Sequence, residues 1–162
     1  MTQCVANTNL LASNRFRAKL QHPRFAYLSY NIIRASLPSV SVQSVPSSFK
    51  QTSLKVPGER ITFEAITLGF LIDEGGNSFN EAYEWMKDNA FAAANGEEHL
   101  YVDFTLDLLD SNNIPVITVL FRNCVATSLT GIDLDAQSRT IEYPTASLTL
   151  EYSHFEVRPA SK

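Results

Sequence analysis

The sequence lacks the features that mark secreted proteins, membrane proteins and proteins that bind nucleic acid tightly. Its only cysteines in 162 residues are Cys4 and Cys124, too few for a disulfide framework. The sequence contains no run of about 18 apolar residues, the length needed to cross a membrane. Its N-terminus lacks the basic start and apolar core of a secretion signal. The net charge is −4, and basic residues cluster only loosely, at Arg15, Arg17 and Lys19. These absences favour a reduced, cytosolic assembly environment, no membrane insertion and no tight phosphate binding.

Catalytic motifs are also missing. There is no P-loop, GxGxxG, HExxH or nucleophile elbow, and the histidines stand far apart, at His22, His99 and His154. Asp73-Glu74 and the Asp133/Asp135 pair could each ligate a hard cation, but neither has the further ligands of a calcium loop. Cys124, at the end of an apolar strand, fits a small buried hydrophobe better than a nucleophile. The sequence therefore predicts no catalytic residue, no metal site and no cofactor.

What the sequence does contain is β-like patterning, over a length that suits one domain. Residues 1–14 are polar and aperiodic, which predicts an N-terminal arm, and residues 15–162 are predicted to form a single domain. Three early segments have strand-like composition, interrupted by Pro23 and by Leu37-Pro38: Arg15–Leu20, Phe25–Ala35 and, as the longest apolar strand, Ile61–Ile72.

A Ser-rich segment separates these early strands. It alternates at its start, with Val40 and Val42 on one face, and its polar centre from Pro46 to Gln51 is loop-like. Pro57-Gly58 predicts a turn. Residues 40–60 are too long for an ordinary connection and offer little to bury in their own domain. They are therefore predicted to form an extended excursion that contacts another subunit.

One helix is predicted, over Phe79–Ala94. Ser78 is a suitable N-cap, Glu81 completes a capping box, and Asn95-Gly96 ends the helix. Trp85 falls off the apolar stripe, so it either widens the buried face or reaches a partner. The stripe itself has helical spacing and is predicted to pack on the sheet: Phe79, Ala82, Tyr83, Met86 and Ala90.

The last third of the chain is β-like again. Tyr101–Asp110 alternates, with Val102, Phe104, Leu106 and Leu108 on its apolar face, and Ser111–Asn113 is a turn. Ile114–Phe121 is apolar on both faces, which suggests burial on both sides, within the domain or by a neighbouring chain. Thr145–Val157 alternates to the end. The whole pattern predicts a mainly β domain, mostly antiparallel, carrying one helix.

Six short segments, in order and at suitable spacing, resemble the tail tube proteins of contractile-tailed bacteriophages of the T-even type. The similarity runs from about Arg15 to Val157, and its one clear departure is the lack of proline at or near Ala126. The segments are Leu37–Val40, Val56–Arg60, Phe70–Glu74, Ala82–Met86, Phe121–Asn123 with Thr127–Gly131, and Tyr152–Glu156.

The resemblance implies two packed antiparallel sheets with one flanking helix, and subunits that form hexameric rings stacked into an inner tail tube. That tube would guide DNA ejection inside a contractile sheath, in a virion assembled in the host bacterial cytoplasm. Expected partners are further copies of the chain, the sheath, the baseplate or tube initiator, the tail terminator and, transiently and non-specifically, DNA. No membrane insertion is expected.

Two sets of residues are expected to serve this function. Contacts between subunits or rings would involve Val45, Pro46, Ser47, Ser48, Phe49, Lys50 and Gln51. A polar lumen, net acidic or neutral and without a tight DNA site, would be lined by strand faces that could equally be ordinary solvent faces: Asp103, Thr105 and Asp107, or Thr145, Ser147, Thr149 and Glu151.

Three alternatives stay open at this point. A tube-initiator paralogue on the baseplate would share these motifs, and so would the tube of a related bacterial injection machine. A monomeric β-sandwich module that binds a small ligand or carbohydrate would use exposed aromatic residues such as Tyr27, Tyr30 and Trp85.

Overall fold

A computed structural model describes residues 10–49, 52–137 and 139–159. Of the predicted N-terminal arm, residues 1–9 lie outside the described part of the chain, and residues 10–15 contain neither helix nor strand. No helix among the described residues is long and apolar enough to cross a membrane. The elements follow in the order β1 (Phe16–Leu20), a 3-10 turn (Pro23–Phe25), α1 (Ala26–Tyr30), β2 (Ile32–Ala35), β3 (Val40–Phe49), β4 (Thr52–Phe63), β5 (Ile66–Leu71), α2 (Asn77–Asn95), β6 (Val102–Leu109), β7 (Pro115–Leu129), β8 (Thr145–Glu151) and β9 (His154–Pro159).

Seven of these strands form one antiparallel sheet in the order β1-β6-β7-β8-β5-β2, with β9 also on β7. The long strand β7 joins two halves, because Ile117–Arg122 pairs with β9 and Val125–Leu129 pairs with β8 on the same side. Between these stretches Asn123 has a positive φ of 53°, which interrupts regular strand geometry. The expected mainly β, antiparallel fold is confirmed, and its two expected sheets correspond to the two halves that share β7.

Both halves of the sheet contribute to a single hydrophobic core. Alternation places Val102, Phe104 and Leu106 of β6 inside, and β5 and β8 contribute in the same way. The predicted alternation fails at Leu108, which is half-buried, because a register shift turns Leu109 inward instead. The core also includes Ile66, Leu68, Phe70, Ala146, Leu148 and Leu150.

The prediction of a continuous strand over Phe25–Ala35 is wrong. A 3-10 turn and the helix α1 precede β2, although the aromatic and branched side chains there favour β structure. Tertiary packing decides the outcome: Phe25 and Leu28 are buried, and the Leu28 N–H donates to Glu81 Oε2 at 2.8 Å. The short helix therefore docks on α2, and the described residues form two α-helices instead of one.

The segment from Ser39 to Ile72 also differs from its prediction. Pro46–Phe49 is strand, and Pro57-Gly58 lies inside β4. Pro57 is accommodated at an irregularity, where the pairs Val42↔Ile61 and Ser44↔Pro57 leave extra residues on β4. The predicted long strand Ile61–Ile72 is broken at residues 64–65, between β4 and β5.

The helix α2 begins two residues before the predicted start, and its N-terminus is capped differently. Ser78 lies within the helix, fully buried, and Asp73 Oδ1 accepts hydrogen bonds from the Ser78 N–H at 2.8 Å and the Ser78 hydroxyl at 2.9 Å. Glu81 is engaged by α1, so the predicted capping box does not form. The predicted C-terminal stop is confirmed, because Gly96 adopts φ 71° at the C-cap.

The buried stripe of α2 is rotated relative to the predicted one. Of the predicted members, Ala82 is buried and Phe79 and Met86 are half-buried, but Tyr83 is 54% exposed and Ala90 is also exposed. Trp85 is fully buried, so it belongs to the core and not to a partner contact. The residues that face inward follow helical spacing: Ser78, Ala82, Trp85, Asn89 and Ala92.

We expect Asp73→Asn to lower the melting temperature at neutral pH. Hydrogen bonding from the Ser78 backbone holds the pKa of Asp73 well below its usual range. A depressed folded pKa gives stability that is present above the unfolded pKa of about 4 and is lost as pH falls below it. The difference from wild type should therefore shrink in circular-dichroism melts between about pH 4 and pH 2. A matched Asp133→Asn change in the exposed loop should leave the melts unchanged; equal effects would contradict the capping role.

Candidate functional site

Several side chains that could have served in catalysis or metal binding instead make hydrogen bonds within their own turns or helix ends. Among the described residues, no three His, Cys, Asp or Glu side chains are grouped to hold a metal ion. His22 accepts from the Arg24 N–H at a turn, and Asp73 caps α2. Asp135 Oδ1 accepts from the Gln137 N–H at 2.8 Å, inside its own turn. The candidate functional sites are therefore surfaces.

Cys124 is a core residue. It is fully buried, as the sequence predicted, and burial is the main cause that raises its pKa to about 12. A thiol with so high a pKa holds almost no thiolate at neutral pH, so it packs as a small apolar side chain.

The most distinctive surface is the hairpin of β3 and β4. These two strands form a separate two-stranded sheet, paired from Val40↔Phe63 to Phe49↔Thr52. At about 3.3 Å per residue, the ten-residue strand β3 makes a ribbon about 30 Å long. Isolated two-stranded ribbons are only marginally stable in water, so a hairpin of this length is expected to pack against a partner.

One face of this hairpin is apolar and uncovered. Val42 pairs with Ile61 and Val40 with Phe63, so all four side chains share that face. Phe63 is half-buried against the body of the domain, whereas Val40, Val42 and Ile61 are each about half exposed. The face thus extends away from the core, and no second layer of the described residues covers it.

The residues predicted to contact other subunits lie at the far end of this ribbon. The segment Val45–Phe49 forms the last part of β3, in pairs with β4 from Val45↔Val56 onward. Lys50 and Gln51 lie outside the described residues. The predicted excursion is therefore a paired ribbon and not a loop.

The two predicted lumen faces lie on different halves of the sheet. Asp103, Thr105 and Asp107 belong to β6, next to β1, whereas the other set belongs to β8, next to β5. Both strands turn their apolar residues into one core, so their polar faces point away from it on separate halves. The structure therefore does not bring the two sets together as one surface.

The β6 face is densely charged. Asp103 forms an ion pair with Arg122, and Asp107 Oδ1 accepts from the Thr118 hydroxyl at 2.6 Å. The strand pairing also places Arg17 opposite Asp107 and Lys19 opposite Thr105. Other basic residues on this face are Arg158 and, when protonated, His154, both on β9.

The β8 face is dominated by hydroxyl side chains. Thr149 pairs with Thr67 on one side and Ser128 on the other, and Ser147 pairs with Gly69. Glu151 is the one ionisable residue of the β8 set, and Arg34 on the edge strand β2 lies opposite Gly69, the register partner of Ser147.

A second uncovered apolar surface lies beside α2. Phe79, Tyr83 and Met86 line a shallow groove against Leu129 at the end of β7, and Phe91 continues it with 55% exposure. Sequence reasoning missed this surface because it assigned the same residues to the core. The rotation of α2 places them between the core and solvent.

The aromatic platform of the ligand-binding alternative does not form. Tyr27 and Tyr30 are exposed on α1, but Trp85 is fully buried and its Nε1–H donates to the Leu100 carbonyl at 3.0 Å. These three residues therefore present no shared surface.

Comparison with known proteins identifies a family. A family model described as "T4-like virus tail tube protein gp19" matches residues 13–156. A search of curated proteins found no match.

Several solved structures share the fold. A chain of the anti-feeding prophage tube-terminating cap is 21% identical with a TM-score of 0.70, covering 97% of this chain and 96% of that one. A chain of the PVC extracellular contractile injection system sheath–tube complex is 17% identical with a TM-score of 0.69, covering 94% of both. Hcp1 from Flavobacterium johnsoniae is 12% identical with a TM-score of 0.55, covering 90% and 95%.

Proposed function

We propose that this chain, which belongs to the T4-like virus tail tube protein gp19 family, forms hexameric rings that stack into the inner tube of a contractile tail. The family consists of structural tube proteins and not enzymes, so the chain has a structural role in a tube. The finer proposal rests on the family match over residues 13–156 and on the β3–β4 hairpin, which has no partner strand among the described residues. Rings stacked with six-fold symmetry would supply that partner.

The hairpin is proposed as the main contact between subunits. Its apolar face at Val40, Val42 and Ile61 would be covered by a neighbouring copy. Because each of these side chains is about half exposed in the free subunit, covering it would contribute about 1–2 kcal/mol to association. Its far end, from Val45 to Gln51, would reach the next ring.

The β8 face is the better candidate for the lumen. A conduit must let DNA slide, so its wall should offer weak contacts and few cations, because phosphate binding strengthens with each neutralising Lys or Arg. Thr145, Ser147, Thr149 and Glu151 meet this need. The β6 face, with Arg17, Lys19 and Arg122 beside its carboxylates, would hold phosphates more firmly.

The proposed partners follow from the place of such a tube in a contractile tail. They are the sheath around the tube, the baseplate or tube initiator at one end, the tail terminator at the other, and DNA in transit. Solved structures of similar fold come from a sheath–tube complex, a baseplate and a tube terminator, which supports this set. The protein is proposed to act in the virion tail after assembly in the host cytoplasm.

A tube of a bacterial injection machine is the second candidate. It is favoured by the shared fold with contractile injection system chains over nearly the whole length. A tube initiator would carry the same motifs. Finding the protein in DNA-filled phage particles, along the length of the tail, would support the main tube; finding it at the baseplate alone would support the initiator.

Electron microscopy of the purified protein tests the assembly. We expect rings or tubes about 10 nm across, the scale of six domains of this size placed side by side. Samples should span low to high salt and protein concentration, with size-exclusion chromatography alongside. Observing only monomers under all of these conditions would contradict the proposal. Tubes that bind DNA tightly at physiological salt would contradict the proposed lumen.

A further inference from the structure

The β3–β4 hairpin joins the body of the subunit through two short backbone connections, residues 36–39 after β2 and residues 64–65 before β5, and through a small side-chain contact. The connection after β4 is the shorter of the two, because only Glu64 and Ala65 separate β4 from β5. On the hairpin side the contact is made by Phe63, whose ring lies 5.4 Å from the Phe155 ring and 6.2 Å from the Tyr152 ring, measured between centroids. The hairpin residues Val40, Val42 and Ile61, beyond this point, are half exposed.

Tyr152 makes this contact from the body. It sits between β8 and β9, where the chain passes from one half of the sheet to the other. Its hydroxyl donates to the Glu64 carbonyl at 2.7 Å, and its ring packs edge-on against Phe121 at 5.0 Å. Burial, the largest cause, raises the Tyr152 pKa to about 12, so the hydroxyl keeps its proton for donation over the physiological range.

We infer that Tyr152 is a positioning residue that fixes the angle of the hairpin before assembly, so that a second copy of this chain meets a preformed apolar face. Rotation about the bonds of residues 64–65, accompanied by movement of residues 36–39 on the other strand, would swing the far end of a ribbon about 30 Å long. A hydrogen bond to the Glu64 carbonyl acts directly on that link, and the Phe63 contact acts on the residue before it. Fixing the angle in the free subunit removes an ordering cost from association.

The inference rests on the proposed tube assembly for its consequence, but the angle itself is measurable on dilute subunits. Spin labels at Ser53→Cys on β4 and Lys87→Cys on α2, in a Cys4→Ser background, report the hairpin's distance from the body. Cys124 is buried and stays unlabelled. Tyr152→Phe keeps the ring and removes only the hydroxyl. We expect a single narrow distance distribution in the labelled protein with Tyr152 and a clearly broader one in its Tyr152→Phe variant.

Assembly supplies the second readout. Loss of one net hydrogen bond should raise the concentration needed for tube formation about three- to tenfold. The thermal melt should change little, which a merely structural role would not predict. Tyr143→Phe is the matched control, because Tyr143 is an exposed tyrosine that, among the described residues, makes no hydrogen bond through its hydroxyl and no ring–ring contact. It should alter neither the distribution nor the assembly.

The outcomes separate the two proposals. If wild type forms no tubes, the proposed function fails, while the distance distributions still decide whether Tyr152 fixes the hairpin. Identical distributions in Tyr152→Phe and Tyr143→Phe would overturn the inference, and so would a broadened distribution with unchanged assembly. Phe63→Leu, which retains the hydroxyl bond and loses the ring contacts, acts on the same contact from the hairpin. It keeps the test decisive if Tyr152→Phe folds poorly.

Discussion

Replacing Trp85 with alanine will destabilise the subunit by about 3–5 kcal/mol, the range for deleting a large buried aromatic side chain. Trp85 is fully buried at the contact of α2 with the core, with its ring 4.8 Å from that of Phe25. Alanine would leave a cavity between the two helices. It would also remove the indole donor to the Leu100 carbonyl, a further loss in a water-poor site. Denaturant unfolding followed by circular dichroism measures the change.

Tyr83→Ala is the matched control, two residues earlier on the same helix. Tyr83 is 54% exposed, so we expect a loss below about 1 kcal/mol in the isolated subunit. A loss at Tyr83 equal to that at Trp85 would show that the helix is rotated differently from the structure. The pair therefore tests which face of α2 is buried.

The helix shows what sequence patterning can and cannot give. Its existence and its end at Asn95-Gly96 were predictable, because a long apolar period and a C-cap glycine are local features. Its rotation was not, because α2 carries two adjacent apolar stripes, one against the core and one facing the open groove with Leu129. The apolar character of a side chain does not show whether it is buried in its own subunit or exposed for contact with another molecule.

The strands divide in the same way. Strands β6 and β8 were predictable because each has one buried and one polar face, which gives a period of two. The helix α1 was not, because it exists through long-range contacts such as the Leu28 N–H bond to Glu81. Pro57-Gly58 has turn chemistry, yet the irregular pairing of β4 absorbs it.

The contact of the β3–β4 hairpin with another subunit stays a prediction, whereas its separation from the main sheet is observed. Length and composition indicated that the segment around Val45–Gln51 leaves its own domain, because it lacks residues to bury. Its form as a paired ribbon depends on the partner strand β4. The sequence did not predict that strand, because Pro57-Gly58 within it has the composition of a turn. The two lumen faces could not be ranked from sequence, because their charge depends on residues such as Arg122 and Arg17 brought alongside by strand pairing.

Shortening the hairpin will give a folded subunit that no longer forms tubes. Val45 and Val56 are register partners, so replacing residues 46–55 with Asn-Gly closes the ribbon with a two-residue turn. Within the described residues, the removed backbone pairs only within the hairpin, so the sheet and core stay intact. The melting temperature should shift by only a few degrees, whereas tubes in negative-stain images should be lost completely. Normal tubes from this variant would exclude the far end from ring contacts.

The two faces of the remaining ribbon provide the control. Val42→Thr with Ile61→Thr places hydroxyls on the uncovered apolar face, whereas Ser41→Ala with Thr62→Ala alters the neighbouring register pair on the opposite face. If a second copy covers the apolar face, the first pair should weaken assembly by about tenfold or more, since each lost buried methyl contact costs on the order of 1 kcal/mol. The second pair should assemble like wild type. Equal loss from both pairs would mean that ribbon stability, and not its apolar face, controls tube formation.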